Sequence, residues 1–212
     1  MNSFSSYRRH LYALLAVYIL TGCQENTSKA VDNTKSIGIR ETGGNSSLDK
    51  SPLDMAYYPV DYPKLKMTGS AKDLLIARII YSRPSVDERQ IFGTLLKYGK
   101  PWRLGANEAT EIEFFQEVNI QDKHIGIGRY VLYCKPYESK WRLILNNDLH
   151  TWGLKIDSTK DLYYFDMPVI HLAAPKEVFT MEFNKTQNGA DLIVSWDSVK
   201  IQLPITFSTN QP

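Results

Sequence analysis

Along much of the chain, apolar residues recur at every second position, the period of a strand with one buried face. In "VKIQLPITF", Val199, Ile201, Leu203, Ile205 and Phe207 point one way and Lys200, Gln202, Pro204 and Thr206 the other. Pro204 has no N–H to give a ladder, so this strand is expected at an edge or a bulge. "EVFTMEF" sets Phe179, Met181 and Phe183 on one face, and "DLIVSW" does the same with Leu192, Val194 and Trp196. "RYVLYC" and "WRLILN" are two further strands, with "KPYESK" as their hairpin turn, and "NKTQNGAD" turns through Asn188-Gly189. "LLIARIIY" is apolar on both faces except at Arg78 and predicts an interior strand. A short helix is expected over "SVDERQIFGTLL", with Ser85 as N-cap and Asp87 and Glu88 in its first turn. Eight or nine strands and one short helix predict an all-β fold, an antiparallel β-sandwich or barrel-like domain.

The first residues follow another rule. Arg8 and Arg9 precede the apolar run "LYALLAVYIL", too short to cross a bilayer comfortably, and "LTGC" follows at Leu20 to Cys23. This order resembles a lipoprotein signal ending in a lipobox, which implies cleavage before Cys23 and a diacylglycerol on its sulfur. Residues 1–22 are thus expected as signal peptide, 23–56 as lipidated Cys and flexible tether, and 57–212 as one β-rich domain. From Gln24 to about Ser51 the chain is rich in Ser, Thr, Asn, Gly and Lys and too poor in large apolar residues to order itself. The tether would hold the domain at a membrane of a Gram-negative cell envelope, and Gln24 rather than Asp after Cys23 favours the outer one.

Charge narrows the function classes. Losing residues 1–22 removes Arg8, Arg9 and no acid, so the formal +2 falls to about zero. A neutral chain carries no electrostatic footprint for nucleic acid. Cys134 is the one thiol left beside Cys23; it falls inside an apolar strand and reads as a small buried hydrophobe. His124, His150 and His171 show no ligand spacing, so no metal or cofactor is expected. "NNDLHTWG" gathers Asp148, His150 and Trp152 in one loop, a trio more simply read as loop polarity. No phosphate-cradling loop or dinucleotide fingerprint is present.

The segment richest in candidate chemistry is "YGKPWRLGANEATEIEF", Tyr98 to Phe114. Its second half alternates Glu111 and Glu113 against Ile112 and Phe114, which places the glutamates on the wetter sheet face. Its first half has two readings. Arg103 and Glu108 form an ion pair that pins the loop, or Arg103, Asn107 and Glu108 line a pocket with Trp102 as a stacking platform. Together with "YSRPSVDERQIFG", "GRYVLY", "PYESKWRLILNND" and "TWG", this segment resembles the bacterial envelope family known as domain of unknown function 2911. The chain departs from that pattern at Leu104 and Cys134, where Thr is common. The resemblance implies a β-rich exported domain, brings no reaction, and draws attention to Arg83, Ser85, Trp102, Arg103, Asn107, Glu108 and Thr110. Arg83, at the end of the "ARIIYS" strand, is expected near the Arg103 loop, either as a second guanidinium for a carboxylate or phosphate or as a partner of Glu108. Ser85 lacks a nucleophile elbow.

These features favour a ligand-binding or envelope-interaction module, with Arg83, Trp102, Arg103, Asn107 and Glu108 at its recognition end. A small molecule, a glycan or another envelope protein would be the partner. One alternative is a hydrolase of saccharide or peptide with Glu108 as acid or base. Another is a purely structural scaffold.

Overall fold

The structure, a computed structural model, describes residues 49–207. The signal segment, Cys23 and most of the tether lie outside the described residues.

The alternating segments pair into two antiparallel sheets. One has six strands in the order β1 (Leu53–Tyr58), β2 (Ala77–Ser82), β3 (Glu111–Phe114), β6 (Gly128–Pro136), β7 (Lys140–Asn146) and β8 (Asp161–Pro168). The other runs β5 (Lys123–Ile125), β4 (Val118–Ile120), β10 (Gly189–Phe207) and β9 (Ile170–Lys185). Ile79, Tyr81, Ile112, Leu132, Leu143 and Phe165 of the first sheet share one apolar core with Phe179, Met181, Leu192, Val194 and Ile201 of the second. The Tyr81 hydroxyl fastens the layers by donating to Met181 O and accepting from Met181 N. This is the sandwich expected from the period-2 pattern. β1 begins at Leu53, ahead of Tyr57 where the domain was expected to start.

β10 is continuous extended chain, yet its ends meet. A Cβ on Gly189 would fall 2.0 Å from Ile205 O, and Phe207 N donates to Asn188 O at 3.1 Å. A straight strand of 19 residues would hold its ends roughly 60 Å apart, so β10 doubles back. The reversal is at Asp197, which has φ 49°. "DLIVSW" and "VKIQLPITF" are thus the two arms of a hairpin, as their separate alternation predicts. Pro204 sits where the pairing with β4 stops, at Ile205↔Ile120. The turns at Tyr137–Ser139 and Thr186–Asn188 close as expected, by Tyr137 N to Lys140 O and Thr186 N to Gly189 O.

The helix expected from Ser85 does not form. Pro84 O accepts from Phe179 N, Ser85 bridges Val178, and Val86 N donates to Glu177 O, so the chain lies along the edge of β9. A turn follows in which Asp87 (φ 51°) and Glu88 (φ 58°) are both left-handed, closed by Arg89 N to Val86 O at 3.1 Å. Ser and Asp favour a helix start and a tight turn for the same reason, a short side chain that competes for backbone bonds; here the edge of β9 decides. The helix that does form, α1 (Tyr62–Met67), follows Asp61, starts with a proline and buries nothing. The strand that opens at Glu111 is short: β3 ends at Phe114, and Val118 belongs to the other sheet.

Candidate functional site

Arg83 follows Ser82, whose O lies 3.0 Å from the Cβ position of Gly105 in the Arg103 loop, but its side chain bonds toward β1 and β9. Its Nη1 donates to Asp54 Oδ2 at 3.0 Å, Nε to Phe179 O at 3.3 Å and Nη2 to Thr180 Oγ1 at 3.3 Å. Its donors join β1 to β9, and it pairs with neither Arg103 nor Glu108. The expected pair of guanidinium groups is absent among the described residues.

The Trp102–Thr110 loop is held from within. Trp102 exchanges backbone bonds with Cys134, N to O at 2.7 Å and O from N at 2.9 Å. Its indole Nε1 donates to Gly105 O at 3.0 Å, and Thr110 Oγ1 donates to Leu104 O at 2.6 Å. Asn107 is left-handed, with φ 57°, and its Nδ2 reaches Asp49 Oδ2 at 2.9 Å and Ser51 O at 3.3 Å. Trp102 is only 8% exposed and packs against Trp141, Phe179 and Trp196 at centroid distances of 5.7, 5.1 and 5.5 Å. It is a core residue with one side on a cavity, not an open platform.

Arg103 is the exception in this loop. It is half-buried, yet among the described residues its guanidinium forms neither an ion pair nor a hydrogen bond, and its Nε is shielded from water without an acceptor. Burial pulls its pKa down from the ordinary arginine value, opposed by the field of Glu108. The ion pair with Glu108 that would pin the loop is not made. Of the trio expected to line a pocket, Arg103 alone lines the cleft beside the loop, about 430 Å³, with Leu95, Leu96, Trp102, Leu154 and Trp196; Asn107 and Glu108 are not in its wall. Gly153 seats the arginine. At φ +76° it lies so close that a Cβ there would fall 3.0 Å from Arg103 Cβ and 3.1 Å from Ala109 Cβ.

Glu108 is exposed and opens instead on a neighbouring cleft of about 330 Å³, with Glu111, His150 and Trp152. Of the trio in "NNDLHTWG", Asp148 is bonded by Lys160 Nζ at 2.6 Å and Trp152 is 53% exposed. Glu111 and Glu113 lie on the outer sheet face, as expected, and are half-buried in a network with Arg78 and Arg129. Cys134 is fully buried.

One wall residue escaped the sequence reading. Trp196 is 2% exposed, and its Nε1 finds no acceptor among the described residues. Alternation in "DLIVSW" marks Trp196 as core, and nothing in one sequence tells a satisfied indole from an orphaned one.

Fold and cleft together define a class: a two-sheet all-β domain with an arginine-walled cleft made by loops on a rigid frame. The chain belongs to the family described as Protein of unknown function (DUF2911), whose pattern it matches over residues 63–205. No curated protein and no solved structure matches it.

Proposed function

We propose that this protein is a lipid-anchored envelope lipoprotein whose β domain binds a small ligand in the Arg103 cleft. The observation that carries the reading is a half-buried guanidinium without a partner among the described residues, in the wall of a cavity of about 430 Å³. A cation removed from water and left unpaired costs stability, so a position that retains one favours a role beyond packing. The size suits a small molecule rather than a protein surface.

The test uses the full mature lipoprotein in lipid nanodiscs and a panel of sugars, amino acids, short peptides and carboxylic acids. A panel member should raise the melting temperature of the wild type and not that of Arg103→Ala. The variant's own stability should lie within about 1 kcal/mol of wild type, because no bond of Arg103 is lost. A loss of about 3–5 kcal/mol, typical of a broken buried ion pair, would support a structural lock instead. Glu108 as acid or base has little support, since an exposed carboxylate outside the main cleft lacks the burial that tunes such groups.

The anchor is tested separately. Cells fed an alkynyl fatty acid should label the wild type and not Cys23→Ser, and density fractionation should place the labelled chain with the outer membrane. Labelling that persists without Cys23 would end that part of the reading.

A further inference from the structure

The geometry points to a ligand class for this cleft: a monocarboxylate on an apolar body, its carboxylate held by the Arg103 guanidinium. The inference rests on the cleft being a ligand site and adds what the site selects.

Arg103 belongs to the wall of the cavity, and its guanidinium has no acceptor among the described residues. An open planar fork matches a group with one negative charge and two acceptor oxygens, which is a carboxylate.

The supply of open donors argues against an oxyanion with more acceptors. Among the described residues no lysine lines the cavity. The other arginine at its edge, Arg89, keeps its charge but already donates through Nε to Val86 O at 2.9 Å and through Nη2 to Ser85 O. Arg103 therefore presents the open fork, which two carboxylate oxygens fill and a phosphate's three would exceed. The remaining wall at Leu95, Leu96, Pro101 and Leu154 is apolar and gives the body of the ligand a surface to leave water against.

The experiment is calorimetric titration of the nanodisc-borne lipoprotein, with empty nanodiscs as blank. The probes share one carbon skeleton: hexanoate, hexanol, hexylamine and hexyl phosphate. A second arm compares N-acetyl-Ala-Leu as free acid and as amide, separating a fatty acid source from a peptide C-terminus. At least one carboxylate should bind about tenfold or more tighter than its neutral counterpart. Arg103→Gln should remove that preference while leaving weak hexanol binding as it was. Equal binding of acid and neutral probe, or carboxylate affinity untouched by Arg103→Gln, overturns the proposal. Hexyl phosphate binding tighter than hexanoate through Arg103 overturns the carboxylate assignment but leaves the ligand site standing. If none of these probes binds but another compound stabilises the wild type and not Arg103→Ala, the carboxylate class again falls alone. If nothing does, both readings fall.

Discussion

Replacing Gly153 with alanine tests the packing that seats Arg103. Its cost has two parts. A left-handed backbone, φ +76° here, is disfavoured by about 1–2 kcal/mol once a Cβ is present. The new methyl would also sit 3.0–3.1 Å from Arg103 Cβ, Arg103 Cδ and Ala109 Cβ, and overpacking of that kind costs about 1–3 kcal/mol. The sum is roughly 2–5 kcal/mol. At about 2–4 °C per kcal/mol for a domain of this size, it lowers the melting temperature by roughly 4–20 °C. Gly69 is the matched control, because it is also left-handed, φ +67°, with nothing within 4 Å of its would-be Cβ. Gly69→Ala should cost only the backbone part. Urea unfolding followed by tryptophan fluorescence reads both, since Trp102, Trp141 and Trp196 are all buried. Equal losses in the two variants would refute the reasoning, because crowding against Arg103 would then contribute nothing.

Asn146 is fully buried; its Nδ2 donates to Asp157 O at 2.9 Å and Asp161 Oδ1 at 2.7 Å, and its Oδ1 accepts from Asp148 N at 2.7 Å. Asn146→Ala should lose about 3–4 kcal/mol in urea unfolding; under 1 kcal/mol would mean the network is dispensable. Asp166 is held below the ordinary carboxylate range by hydrogen bonds from Arg142 and then Lys140. Because its folded pKa is depressed, its stabilisation is complete above the unfolded value of about 4 and disappears as pH falls toward the folded one. The side chains are more than a third exposed, so solvent screening limits the effect to about 1 kcal/mol or less. Asp166→Asn should therefore narrow its gap to the wild type between about pH 5 and pH 2, and a gap that widens on acidification would reverse the assignment. Burial pushes the Cys134 thiol up, so in a Cys23→Ser background Ellman's reagent should react only after unfolding. Prompt reaction of the folded chain would contradict its burial.

What was legible in the sequence follows from what is local. Side-chain alternation depends only on neighbouring residues, so the strands around Phe179, Leu192 and Ile201 could be read directly, as could the turns at Tyr137 and Asn188. The segment from Ser85 was misread because its partner, the edge of β9, lies far along the chain. The partners of Arg83 were hidden for the same reason. Its direction depends on β1 and β9 both lying beside the end of β2, and neither adjacency is a property of "YSRPS".

The family segment gains a sharper meaning from these corrections. Trp102 bonds Gly105 and Cys134, Thr110 bonds Leu104 and Leu132, and Asn107 ties the loop to Asp49 and Ser51. "TWG" arrives from elsewhere in the chain and sets Gly153 against Arg103. Most of the motif thus holds the loop, and the loop holds one arginine without a partner among the described residues. A purely structural loop would gain by satisfying or replacing a half-buried charge. A binding site needs the opposite arrangement, a rigid surround and one donor left open to a ligand. On that argument Arg103 is the residue our proposal assigns to the ligand, while Arg83, Trp102 and Asn107 hold the frame around it.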